Sequence, residues 1–408
     1  MDTQIPTITP APPTVPATPH RTRSPWWTIA LGGLAGLVPV AVVGAAFLPA
    51  QLAFDKPVAV AGDPEVTEDV GTPYAIVPAS ASSVGDRISF GELEGVAQLD
   101  ENSSGDLFFV TVSEPAQSLL SAWVGWEQPD YTPLTYDERY PGGSTPSQQR
   151  SVSLQMMRTA EQVAQFVAMQ AVGIEGAQLV KGDVVVEQIV CLEAEGQRCV
   201  AFAPAGEVLA PGDTLRNADG VALDTVDDLQ TALADNEAGD VVSLDIVRAG
   251  ETDSVTVDVE LIEAPDGSGR AIIGFFPFDT ASVQLPFELD IDTGTIGGPS
   301  AGLAFTLTLI DKLSAGDLTG GGDVAVTGTI GVEGQVGAIG GLPQKVSVVR
   351  QLGIETFLVP AGQSEASLTA AREAAGDDVE IVLVGTIDEA LAALVERGGD
   401  PVVPFPTN

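Results

Sequence analysis

Gly297-Gly298-Pro299-Ser300-Ala301-Gly302 runs directly into the apolar stretch Leu303-Ala304-Phe305-Thr306-Leu307-Thr308-Leu309-Ile310, and further on Gly340-Gly341-Leu342-Pro343-Gln344-Lys345 runs into Val346-Ser347-Val348-Val349. Each reads as a glycine turn opening a helix. The first helix is apolar on most faces, so it is expected in the core. A serine there has its hydroxyl at the positive end of the helix dipole, among backbone N–H groups that suit an oxyanion. Serine is also a preferred helix cap, so Ser300 taken alone reads more readily as a structural N-cap than as a nucleophile. Lys345 is one of only four lysines in the chain. It works as a base only when neutral, a state that burial favours; otherwise it is a surface lysine in a first helical turn. The sole histidine, His20, lies far upstream, so nucleophile chemistry here would have to do without imidazole.

Two further stretches lie between these: Asp323-Val-Ala-Val-Thr-Gly328 and Gly334-Gln-Val336. Taken in order with Gly298–Gly302 and Gly340–Lys345, they closely resemble the proteolytic domain of Lon proteases. The resemblance implies Ser300 as nucleophile and Lys345 as general base, with Thr327 helping to hold the lysine and no cofactor or metal required. It covers Phe287 to Val395, and Phe108–Val112 and Ser151–Val172 resemble the first strand and helix of the same fold. The chain departs from the family at Pro343-Gln344, where charged residues are usual, a difference expected to affect the rim of the site. Lon proteolytic domains assemble as hexamers, so the resemblance also implies a homo-oligomer. No G-x-x-x-x-G-K-[ST] phosphate loop is present, so the enzyme is expected to work without ATP on unfolded or flexible polypeptides.

Between about 180 and 262 the character changes. Strands are expected at Asp183–Val190, Val241–Arg248 and Ser254–Leu261, with a helix at Val226–Ala234. Ala210-Pro-Gly-Asp213, Thr225-Val-Asp-Asp-Leu229 and Ala238-Gly-Asp-Val-Val-Ser-Leu244 fall in the order found in bacterial protease PDZ domains, which this segment resembles. A PDZ module binds extended peptides by adding them to a sheet edge. Its carboxylate-binding loop is expected near Ala177–Gly182, although no residue there is distinctive.

Trp26–Ala50 carries no charge and is long enough for a bilayer, which needs about 20 apolar residues. Arg21 and Arg23 precede it, which orients the N-terminus to the cytoplasm. A cleaved signal peptide is the competing reading, but its apolar core usually runs only about 7–15 residues. The order of segments resembles the membrane-anchored YlbL-like proteases. The expected organisation is an α/β (α+β) Lon-type proteolytic domain with an inserted PDZ domain, preceded by a single transmembrane helix. Its parts are a disordered cytoplasmic tail at 1–25, the anchor at 26–50 and a linker at 51–73. Residues 74–175 form the first part of the protease domain, 176–265 the PDZ domain, 266–400 the catalytic part and 401–408 a tail. The catalytic domain is placed outside the cell membrane.

Acidic residues number 57 against 17 Lys and Arg, giving a net charge of −40. Such a surface repels nucleic acid, which is not an expected partner. With 44% hydrophobic residues the chain can still bury a core. Cys191 and Cys199, the only cysteines, flank a turn-like segment and suit a hairpin disulfide in an oxidising compartment; a free-thiol pair is the alternative. Trp123, Trp126, Tyr131, Tyr136 and Tyr140 are expected to face a membrane or a second subunit, against the simpler reading that they pack on their own domain. A second class of function, a catalytically silent peptide-binding scaffold, would have been favoured by loss of Ser300 or Lys345. A signal-peptidase-type enzyme suits neither motif.

Overall fold

The structure is a computed structural model that describes residues 42–60, 63–93, 104–195, 198–264 and 268–404. The chain divides into Met1–Phe47 and Leu48–Asn408. In the first unit, residues 42–45 make one helical turn, with Val42, Val43 and Phe47 exposed. No helix among the described residues is long and apolar enough to cross a membrane. The expected tail 1–25 and residues 26–41 of the expected anchor lie outside the described residues, as do 405–408.

The far end of the expected anchor is corrected. Leu119 N donates to Leu48 O at 2.8 Å, Ala50 N donates to Gln117 O at 2.9 Å, and Ala50 is fully buried. Residues 48–50 therefore belong to the folded unit. The expected linker 51–73 is also corrected, because it contains an antiparallel hairpin of β1 (Asp55–Val60) and β2 (Asp63–Gly71). Pro57 is compatible with a strand here because a two-stranded ribbon leaves one edge without ladder bonds. Thr72 closes the hairpin base by donating its N–H and its hydroxyl to Phe54 O, at 3.0 and 2.9 Å.

A six-stranded mixed sheet is built from both ends of the unit. From the N-terminal side come β3 (Tyr74–Ser83), β4 (Leu107–Ser113), and β5 (Thr132–Leu134), with α1 (Leu119–Gly125) between the last two. Then α2 (Pro146–Val172) follows, starting five residues before the expected Ser151. Thr145 and Gln148 form a capping box and Pro146 takes a position whose N–H needs no partner.

The next segment forms a separate antiparallel sheet from β6 (Gln178–Ile189), β7 (Thr214–Ala218), β8 (Val241–Val247), β9 (Ser254–Glu260) and β10 (Phe275–Gln284), with α3 (Val226–Leu233). Its order is β9-β8-β7-β6-β10. β10 pairs with β6 from Phe275↔Ile189 to Gln284↔Gln178, so this sheet extends beyond the expected boundary at 265. The ladder shifts register at Phe276/Pro277, which lets an edge strand carry a proline. Ala177–Gly182 runs into β6 itself, not into a binding loop. A small hairpin after β6 carries the Cys191–Cys199 disulfide, with Cα atoms 5.7 Å apart.

The chain then returns through α4 (Gly302–Leu313), β11 (Val324–Val326), α5 (Leu342–Leu352), β12 (Thr356–Pro360), α6 (Glu365–Ala375), β13 (Glu380–Val384) and α7 (Ile387–Glu396). The large sheet has the order β13-β12-β11-β4-β3-β5, with β11 parallel to both β4 and β12. One face is covered by α2, α4 and α7 through Met157, Ala164, Phe305, Leu309 and Ala390, packed with Phe109 and Val326. The other is covered by α5 and α6 through Val346, Val349, Leu368 and Ala371 on Ala325 and Phe357. Burying each large side chain contributes about 1.5–3 kcal/mol. The polar groups of the central helix are satisfied: Thr306 and Thr308 donate to Gly302 O and Ala304 O, each at 2.9 Å.

Candidate active site

Ser300 and Lys345 approach the same point from opposite faces of the large sheet. Ser300 ends the loop leading into α4, and Lys345 lies in the first turn of α5. The serine loop is shaped by its glycines. Gly298 has φ +87°, a conformation that favours glycine, and its N–H donates to Ser153 O of α2 at 2.8 Å. A Cβ on Gly302 would lie 2.8 Å from Ile330 Cγ2 and 3.2 Å from its backbone nitrogen. On the lysine side Gly341 caps α5 with φ +67°, and Leu342 is fully buried beneath it.

Lys345 Nζ lies 2.9 Å from Ser300 Oγ and 2.9 Å from Thr327 Oγ1. Thr327 in turn donates its hydroxyl to Ser300 O at 3.3 Å, and Gly328 N donates to the same oxygen at 2.9 Å. The three expected residues are thus brought together by side-chain and backbone contacts. Lys345 is 2% exposed and Thr327 is fully buried, whereas Ser300 is half-buried and borders a cleft. Among the described residues no carboxylate forms an ion pair with Lys345. Burial with no compensating anion pulls its pKa from 10.5 to about 7.

The cleft has a volume of about 820 Å³, and its lining includes Val112, Leu154, Met157, Ile296, Ser300 and Lys345. Its polar wall includes Glu114, which forms an ion pair with Arg139 at 3.0 Å. Neither Ser300 N nor Ala301 N has a hydrogen-bond partner among the described residues. Both are at the N-terminal end of α4, where backbone donors and the helix dipole favour negative charge.

Gln344 is not on the rim, as its replacement of a charged residue had suggested. It is fully buried, and its Nε2 donates to Thr132 Oγ1 at 2.7 Å. One turn on, Ser347 Oγ donates to Asp130 Oδ2 at 2.5 Å. The segment around Asp130–Thr132 therefore ties down the face of α5 next to the lysine. Sequence spacing held no sign of this contact, since the partners are more than 200 residues apart.

The aromatic stretch is divided. Tyr131 and Tyr140 are buried, and Trp126 packs on Phe54 and Tyr131 with ring centroids 5.0 and 6.3 Å apart. Tyr140 meets Tyr74 edge-on at 5.6 Å. Only Trp123 and Tyr136 are exposed, so the expectation that the whole stretch faces outward is corrected. No group of three or more potential metal-binding His, Cys, Asp or Glu residues occurs among the described residues.

Residues 289–397 match the family model of the Lon protease (S16) C-terminal proteolytic domain, and residues 171–259 match that of the PDZ domain. The chain thus carries a Lon-type proteolytic domain and a PDZ domain. Among solved structures it is similar to the PDZ domain of an SdrC-like protein from Listeria monocytogenes, at 25% identity over 24% of this chain and 87% of that one, with a TM-score of 0.19. The PDZ domain of an SdrC-like protein from Listeria innocua is similar at 20% identity over 23% and 92%, also with a TM-score of 0.19. No curated protein matches.

Proposed function

We propose that this chain is a serine endopeptidase that uses a Ser300–Lys345 dyad. The observation that carries the reading is the buried Lys345 amine, 2.9 Å from the Ser300 hydroxyl and free of any ion pair among the described residues. A serine protease also agrees with the Lon-type family match.

In the reactive state Lys345 is neutral, and Ser300 Oγ–H donates to its Nζ. As Oγ attacks the scissile carbonyl carbon, the serine proton passes to Nζ and the carbonyl π electrons move to oxygen. The unpartnered N–H groups of Ser300 and Ala301 can stabilise that oxyanion, assisted by the α4 dipole. Collapse of the intermediate breaks the C–N bond, and the lysine returns the proton to the leaving amine. Water then attacks the acyl-enzyme, delivering its proton to Lys345, and the serine is regenerated. Thr327 fixes the amine during both halves by accepting from Nζ while its own hydroxyl donates to Ser300 O.

The PDZ domain has a strand edge at β10, with α3 held beside it by Val226 N donating to Asp279 Oδ1 at 2.6 Å. An extended substrate added along this edge is the proposed means of delivery. The chain is proposed to act without ATP, anchored through the uncharged apolar segment beginning at Trp26, with its catalytic part in an extracytoplasmic, oxidising space, and as a homo-oligomer.

The test is Ser300→Ala. It should abolish cleavage of casein and of quenched peptides while leaving the melting curve unchanged, because alanine fits the same turn. A variant that still cleaves at the wild-type rate would refute the assignment.

A further inference from the structure

We infer that α1 and the turn at 50–52 form a foot that rests in the interfacial layer of a lipid bilayer. In the folded unit, the three most exposed large apolar side chains among the described residues are Trp123, Leu52 and Val124, at 71%, 64% and 60%. They come from two segments packed on one another: Leu119 N donates to Leu48 O at 2.8 Å, Pro49 pairs with Ser118, and Ala50 and Ala122 are fully buried. Leu48 adds a further exposed apolar side chain.

Charge separates this surface from an ordinary exposed face. Charged residues make up 18% of the chain, yet Leu48–Phe54 and Pro115–Trp126 contain none. An apolar, charge-free cluster on a strongly acidic protein marks an interaction surface. Trp123 suits the interfacial layer, where an indole keeps one edge wet and buries the rest. Beneath it, Trp126 packs on Phe54 with the rings tilted at 44° and centroids 5.0 Å apart, which fixes the helix in place.

Continuity of the chain favours lipid over a protein partner. The uncharged run from Trp26 to Phe47 joins the folded unit at Leu48, within the patch itself. If that run enters a bilayer, Leu48 emerges at the boundary and carries Leu52, Trp123 and Val124 with it. The inference rests on the anchor reading above and adds an orientation to it: the domain lies against the membrane at a fixed face.

The experiment uses the full chain in phosphatidylcholine nanodiscs, spin-labelled singly at Val124→Cys or Leu52→Cys. Leu37→Cys reports the anchor and Val221→Cys, exposed on the other sheet, reports water. Labels at 124 and 52 should be severalfold more accessible to dissolved oxygen than to a water-soluble nickel chelate, as at 37 and unlike 221. Lipid exposure at 37 with aqueous behaviour at 124 and 52 overturns the foot and leaves the anchor standing. Labels at 124 and 52 shielded from both relaxants indicate a protein contact, which also overturns it. An aqueous label at 37 refutes the anchor reading and, with it, the basis of this inference.

Discussion

Replacing Lys345 by methionine should inactivate the enzyme and yet stabilise the fold near neutral pH. The native structure holds the amine at a pKa of about 7 against 10.5 for an exposed lysine. That displacement corresponds to about 4 kcal/mol at pH 7, the cost of burying an amine that water would keep charged. Methionine fills a similar volume without it. The loss is the pair of contacts to Ser300 and Thr327, each 2.9 Å. Thr327 keeps its bond to Ser300 O, so this loss is about 1–3 kcal/mol. A net gain of about 1–3 kcal/mol remains at pH 7 by the same two terms. The sign of the pH dependence follows from linkage. Between about 7 and 10.5 the unfolded lysine carries a proton that the folded one lacks, so wild-type stability from this residue rises with pH. The methionine variant has no such term, and other titrating groups cancel in the difference. Urea unfolding of both proteins at several pH values should therefore show the variant's advantage shrinking by about 1.4 kcal/mol per pH unit. A variant less stable at pH 7, by an amount independent of pH, would refute the buried neutral amine.

Thr132→Val removes the acceptor of a fully buried Gln344 amide and should cost about 1–3 kcal/mol. If this contact positions Lys345, the acidic limb of the activity–pH profile should also move upward as the loosened amine meets water; a stability loss with an unmoved limb would make the contact structural only. Cys191 and Cys199 should resist alkylation until reduced in protein taken from native membranes, as intact mass would report, and two freely alkylated thiols would contradict an oxidising location.

The readability of this chain follows from where each kind of information is held. Ser300, Thr327 and Lys345 stand out because the chemistry demands fixed backbone turns, and glycines such as Gly298 and Gly341 leave a local trace. The core helix after Ser300 is legible because its apolar run is uninterrupted, and it is buried along almost its whole length. The β1–β2 hairpin is hidden in the sequence because Pro57 and Pro64 suit a linker as well as a strand, although Val58 is buried as a strand residue. The start of α2 differs from the expected Ser151 because Thr145 and Gln148 form a capping box that begins the helix at Pro146, a local signal that helix-forming composition does not show. Phe275–Gln284 was not recognised as a strand of the PDZ sheet, because its pairing with β6 is settled by residues nearly a hundred positions away. Trp126 and Tyr140 misled for a similar reason, since Phe54 and Tyr74 cover them from distant segments. Burial of Gln344 depends on Thr132 and could not be read from its own neighbourhood.

The most direct test of the dyad is the rate at which a serine-reactive fluorophosphonate labels the protein, followed by peptide mapping across pH 5–10. Labelling should fall on Ser300 alone and rise through an apparent pKa of about 7, as the buried lysine deprotonates. It should be lost in Lys345→Arg, whose guanidinium stays charged. Labelling of a different serine, or a rate at Ser300 that is unchanged by pH and by Lys345→Arg, would contradict the account.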